Sequence, residues 1–177
     1  MLYSVEIAFT NSEHEADWNA WYETFLVKLV SVPGFKTAQR FQGQSPYSSP
    51  YLALYSVTSR AVFDSQPYRD IGGGGAAVGR FAQYRQRKRN LFSGIDFFPS
   101  VSGGSCVVIV DCDPEQLDLP NLLFTPLAIA DFDRTVERRF ITVTSEELAR
   151  RLRLAEMEGV GLYRPANERR TALPLQK

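Results

Sequence analysis

The side chains with most chemical potential in this sequence lie inside apolar segments, where a charge needs a reason to be. Glu6 sits within LYSVEIAF (2–9), flanked by Val5 and Ile7. A carboxylate there must be paired or have its pKa raised, and a raised pKa is one way to make a general base. Arg40, in FKTAQRFQ (35–42), is the expected partner, so Glu6 is read as a structural ion pair or an acid/base group. Asp96, among Phe92, Phe97 and Phe98, poses the same choice. His14 is the one histidine, the side-chain type whose unperturbed pKa lies nearest neutrality. Standing between Glu13 and Glu15, it is either a solvated surface residue or a base at a pocket rim. Tyr22, Tyr55 and Tyr68, with Trp18 and Trp21, are either core or the lining of a pocket for a flat aromatic ligand.

These groups are positioned by a recognisable series of elements. Residues 2–9 read as a strand. Ser12 and Glu15 have capping-box spacing, and Trp18, Tyr22, Phe25 and Leu29 recur on one helix face up to the Pro33-Gly34 turn. FKTAQRFQ alternates as a strand with Phe35, Thr37, Gln39 and Phe41 on one face, and YLALYSV (51–57) is the next strand. Thr58 or Ser59 caps a short helix interrupted at Pro67. The GGGG run (72–75) reads as a mobile connector, with a lid or an anion cradle as the alternatives. A basic helix, roughly 76–89, then presents Arg80, Arg85, Arg87, Lys88 and Arg89 to solvent, and NLFSGIDFF (90–98) is the last strand of the set.

The order strand, helix, strand, strand, helix, strand predicts an α+β, ferredoxin-like βαββαβ domain over 1–99. The second half repeats the plan in trimmed form over 104–165. SCVVIVDC is a strand, PEQLDLPNL holds at most a helical turn, and 126–133 with 136–144 form a hairpin. A helix capped by Thr144 and Glu147 and a short strand, GVGLYRP, complete it. Residues 166–177 read as a tail that is disordered or wraps a partner.

Bulk properties narrow the function. Twenty basic residues balance twenty acidic ones among 177, which gives no reason to expect nucleic acid or membrane as a partner. No apolar run approaches the ~20 residues of a membrane span, and the N-terminus lacks signal-peptide features. Cys106 and Cys112 cap one strand whose ends lie about 20 Å apart, too far for a disulfide, so reduced cysteines and the cytoplasm are expected. No Ser-His-Asp, zinc or dinucleotide signature is present, and neither a cofactor nor a metal is expected.

Trp21-Tyr22-Glu23, Val32-Pro33-Gly34-Phe35, Arg40-Phe41, YLALYSV and Ser65-Gln66-Pro67-Tyr68 together resemble the EthD-like branch of the dimeric α+β barrel superfamily over residues 1–98. The resemblance implies a barrel of two sheets, a pocket between helices and sheet, and a homodimer unless the second half closes the barrel within one chain. It also implies a spread of activities, among them isomerases, monooxygenases, lyases and dehydratases. The family's helix histidine would fall at Phe25, so no mechanism through that histidine carries over.

Two functions follow as expectations. One is a cofactor-independent isomerase, lyase or dehydratase acting on a small aromatic or carbonyl compound. Glu6, Arg40 and Asp96 would then be catalytic, and Tyr22, Phe25, Tyr55, Tyr68 and His14 would contact the substrate. The other is a non-catalytic ligand-binding or interaction protein. If the cleft between helix 13–30 and the sheet is closed or filled by side chains, the enzyme reading fails; an open pocket touching Glu6, Arg40 or Asp96 keeps it alive.

Overall fold

The computed structural model describes residues 1–119 and 121–172. Apolar alternation builds strands β1 (Leu2–Phe9), β2 (Phe35–Gly43), β3 (Tyr51–Val57) and β4 (Arg85–Ser93) in the first half. The second half contributes β5 (Ser105–Val110), β6 (Thr125–Phe132), β7 (Arg138–Ser145) and β8 (Val160–Pro165), with a two-residue β9 (Arg170–Thr171) after them. Three α-helices, α1 (Glu15–Val30), α2 (Gln66–Asp70) and α3 (Glu146–Arg151), lie outside the sheet.

All strand pairings are antiparallel and run β2-β3-β1-β4-β6-β7-β5-β8, with β8 returning to β2. The sheet is therefore a closed barrel made by one chain. Each half contributes four strands in the same spatial order: second, third, first, fourth. The two joints, β4–β6 and β8–β2, each pair the fourth strand of one half with the second strand of the other. Closing the ring removes the unpaired edges that an open sheet exposes.

Period-two alternation then divides the side chains into three cores. The barrel interior holds Leu2, Phe41, Leu54, Phe92, Ile109 and Ile141, among others. Outside the first half, Trp18, Tyr22, Leu26 and Leu29 of α1 cover Tyr3, Val5 and Tyr55 of the sheet. Outside the second half, α3 and its neighbouring turns cover Cys106, Val108 and Val110.

Several local expectations are corrected. Asn11, rather than Ser12, caps the first helical turn, accepting from the Glu13 and His14 amides, and Ser145 rather than Thr144 caps α3. A bulge between Phe35 and Thr37 puts Phe35 on the helix side, while Thr37, Gln39 and Phe41 face the barrel. The basic segment 85–89 is not helical; it is the first half of β4, preceded by a 3-10 stretch over Gly73–Tyr84. The strand ends at Ser93, and Gly94 turns the chain with φ of 105°, so residues 95–98 are not a strand. Phe98 and Val101 instead enter the barrel, where their amides donate to Ser56 and Gln39. Within the expected tail, β9 pairs with β2 and the Asn167 side chain accepts from the Arg40 amide; residues 173–177 lie outside the described range.

Candidate functional site

A cleft opens between α1 and the outer face of the first-half strands. Tyr3 and Val5 of β1 and Tyr55 of β3 form its floor, and Trp21, Tyr22 and Phe25 of α1 form one wall. Tyr68 of α2 and the loop Gly72–Gly75 close the far side, and Arg85 and Arg87 of β4 stand at the end. The water-sized space enclosed is about 40 Å³. This is room for a few waters and far below a typical ligand pocket.

Local sequence explains each placement. Helical spacing carries Trp21, Tyr22 and Phe25 onto one edge of α1, where the Trp21 and Phe25 rings stack at 5.1 Å. Ser65 caps α2 by accepting from the Tyr68 amide, which turns Tyr68 inward against Phe35. The R-x-R-x-R pattern of 85–89 has the strand period, so Arg85, Arg87 and Arg89 share the helix-side face and Gln86 and Lys88 point to solvent.

The polar groups of the cleft are hydrogen-bond donors. The Tyr22 and Tyr55 hydroxyls lie 2.9 Å apart, both buried. One donates to the other, which leaves one hydroxyl proton of the pair without an acceptor among the described residues. Burial raises both pKa values, so the pair stays neutral and able to donate. The Tyr68 hydroxyl accepts from the Gly74 amide at 2.8 Å, and burial raises its pKa as well. Arg87 donates to the Gly74 carbonyl at 2.8 Å. Arg89 is paired with Asp133 at 3.0 Å, whereas Arg85 and Arg87 have no ion-pair partner among the described residues. Burial, and then the charge of Arg87, lower the pKa of Arg85. Among the described residues no carboxylate or imidazole lines the cleft.

Of the residues singled out from sequence, Tyr22, Phe25, Tyr55 and Tyr68 converge here, and Glu6, Arg40, Asp96 and His14 do not. Arg40 is 2% exposed and lies behind the cleft wall. Its guanidinium sits 4.3 Å over the Tyr22 ring, donates to Asn19 at 2.7 Å and lies 3.5 Å from Glu23. Glu6 points the other way, into the barrel, because it alternates with Val5 and Ile7. Its partner is Arg139 of β7 at 2.6 Å rather than Arg40, and Ser49 donates to its second oxygen. Arg139 also binds Asp111 through two donors. Burial opposes the charge of Arg139, but its two carboxylate partners outweigh burial and hold the pKa above the ordinary value. Asp96 is 97% exposed rather than packed among phenylalanines, and lies 3.6 Å from the Met1 amine. His14 stands just before α1, its ring 5.7 Å from Tyr84.

Arg85 and Arg87 are the site residues that sequence reading missed. The available signal was the period of two in the arginines, which a helix would not keep on one face.

The fold is a closed antiparallel barrel with α-helices outside it, both halves supplied by one chain. It is similar in structure to an anthrone oxidase-like protein, with a TM-score of 0.54 and 10% identity over 97% of this chain and 93% of that one. It is also similar to a monooxygenase-like protein of Fusobacterium nucleatum, with a TM-score of 0.51 and 8% identity over 99% and 97% of the two chains. Likeness at such identities concerns the fold. No protein-family model and no curated protein matches the chain by sequence. Among the described residues no helix is long and apolar enough to cross a membrane, and no cluster of metal-ligating side chains occurs.

Proposed function

We propose that the cleft binds a small, flat aromatic or carbonyl compound and that the protein acts on it without a cofactor by stabilising an enolate. The observation that carries this reading is the neutral Tyr22–Tyr55 pair set in a cavity walled by Tyr3, Trp21, Phe25 and Tyr68. A donor at a carbonyl oxygen binds the enolate more strongly than the ketone, and this difference lowers the barrier to transferring an adjacent proton to a water molecule. Water is the base left to a cleft lined by no carboxylate or imidazole among the described residues. Enolates are intermediates common to isomerases, lyases and dehydratases that act next to a carbonyl, so the donor pair suits all three. The oxidase-like and monooxygenase-like descriptions of the two similar structures agree with small-molecule chemistry in this fold. At a finer level, the strand order of each half agrees with a ferredoxin-like unit, and the motifs of residues 21–68 favour the EthD-like branch. A homodimer would use a surface other than the barrel seam, whose strands are already paired in a ring.

A second reading, a binding protein without catalysis, is favoured by one observation. Among the described residues the cleft touches none of Glu6, Arg40 and Asp96 and has no carboxylate or imidazole to take the proton, and the resemblance puts Phe25 in the place of the family histidine. Deuterium exchange separates the two readings. Aryl ketones such as 1-tetralone are incubated with the protein in heavy water and exchange next to the carbonyl is followed by NMR. Exchange at least tenfold above background, lost in Tyr22→Phe and Tyr55→Phe, supports the enzyme. Saturable binding without exchange supports the binding protein, and absence of both overturns the cleft as a site.

A further inference from the structure

We infer that the compound taken by this cleft carries a carboxylate, held by Arg85 and Arg87 at the end opposite the α1 wall. The inference rests on the reading of the cleft as a ligand site and adds the charge class of the ligand.

Charge accounting leads to it. Of the three arginines on the helix-side face of β4, Arg89 has Asp133, which donates nothing and accepts from both its side chain and its amide. Arg85 and Arg87 have no such carboxylate among the described residues, although both are partly buried and line the cleft. Two like charges drawn out of water next to each other are unfavourable unless an anion joins them. The falling pKa of Arg85 follows from that arrangement.

Geometry agrees. A β-carbon placed on Gly75 would lie 2.9 Å from an Arg85 terminal nitrogen and 3.1 and 3.3 Å from those of Arg87. Both guanidiniums therefore converge on one point, directly beneath the glycine loop. Convergent N–H groups match the two oxygens of a carboxylate, whereas a neutral amide or ketone would leave donors of like charge unsatisfied.

Entry needs more than about 40 Å³ of space, and the loop above the arginines can supply it. Gly72, Gly74 and Gly75 all have positive φ, and the loop tip is held by two hydrogen bonds at Gly74, one from its amide to Tyr68 and one from Arg87 to its carbonyl. An incoming carboxylate competes with the Gly74 carbonyl for Arg87, so the group that the arginines capture removes one of the two bonds holding the loop tip.

The test compares 2-naphthoate with 2-naphthamide, which share shape and differ in charge, by isothermal titration and by fluorescence of the two tryptophans. The carboxylate is expected to bind at least tenfold more tightly than the amide, with affinity falling as salt rises. Arg85→Gln and Arg87→Gln should each weaken naphthoate tenfold or more and leave the amide unchanged, while Arg85→Lys keeps most of the naphthoate affinity. Circular dichroism identifies any glutamine variant that fails to fold, and the salt dependence of the unaltered protein then decides. Equal, salt-independent binding of both compounds overturns the carboxylate and leaves the cleft as a site for neutral ligands. Binding of neither overturns both.

Discussion

The two halves of the barrel are built to one strand plan and covered in opposite ways. Between its first two strands the first half places the 16-residue α1, and the second half places a single turn over Pro114–Leu117. Beneath α1 lie tyrosines, with Arg85 and Arg87, free of carboxylate partners among the described residues, at the end of the cleft; beneath α3 lie Cys106, Val108 and Val110. The register makes Tyr3 and Cys106 counterparts, since each is the second residue of its half's first strand and faces outward. The lesson is that closing a barrel constrains strand order and the inward alternate residues, while the outward residues are left to vary. One half has used that freedom for a donor-lined cleft; the other packs small and aliphatic side chains under α3, beside a pocket of about 200 Å³ lined by Cys106, Glu146, Ala149 and Arg150.

The halves are most strongly tied together inside the barrel, so the largest expected effect is there. Glu6 belongs to the first half, and Arg139 and Asp111 to the second. Arg139 is 4% exposed, and replacing it by methionine strands the Glu6 carboxylate in an interior site. Arg139→Met should cost about 3–5 kcal/mol in urea unfolding, and adding Glu6→Gln should recover more than half of that. A single variant within about 1 kcal/mol of the unaltered protein would mean that the halves are joined by their backbone ladders alone.

The next effect separates the two outer layers by pH. Burial, and then the charge of Glu146, push the Cys106 thiol from 9.0 up to about 11. The unfolded chain therefore releases this proton first, and stability falls as pH rises from about 9 through about 11. The first-half layer holds tyrosines, whose ordinary value is 10.0 and whose burial raises it, so its alkaline loss starts later. Tyr163 inside the barrel behaves likewise, pushed up to about 12 by burial and then by Glu6. Cys106→Ala should flatten the decline between pH 9 and 10 by up to one proton, about 1.4 kcal/mol per pH unit, in urea midpoints. An unchanged slope would show that the cysteine does not feel its layer.

How much of this arrangement was legible in the sequence follows the same division. Elements with a clean local period could be read: β1, β3, β5, the β6–β7 hairpin and the face of α1. Tyr22, Tyr55 and Tyr68 could be read as buried aromatics, because aromatic side chains among apolar neighbours are usually enclosed. The partner of Glu6 could not, since Arg139 lies 133 positions away and the pairing depends on how the ring closes. Phe35 was assigned to the wrong face because one bulge shifts the register. Arg85 and Arg87 were missed because arginine-rich segments have high helix propensity, and strand pairing with β1 overrides it. The groups that distinguish the two halves are thus the ones whose position is set by tertiary pairing.

The smallest effect concerns the loop that makes the first-half cleft different from its counterpart. Gly75 has φ of 110°, a conformation that disfavours a β-carbon, and the added carbon would also press on Arg85 and Arg87. Flexible arginine ends can move aside, so the strain of the backbone should dominate, at about 1–2 kcal/mol. Gly103 provides the control from the connection between the halves: nothing lies within 4 Å of its added carbon, and Gly103→Ala should stay within about 0.5 kcal/mol. Beyond stability, Gly75→Ala displaces the point on which the arginines converge, so it should weaken 2-naphthoate more than 2-naphthamide. Equal weakening of the two would mean that the loop shapes the aromatic cavity and not its charged end, and the first half would then differ from the second in its lining alone.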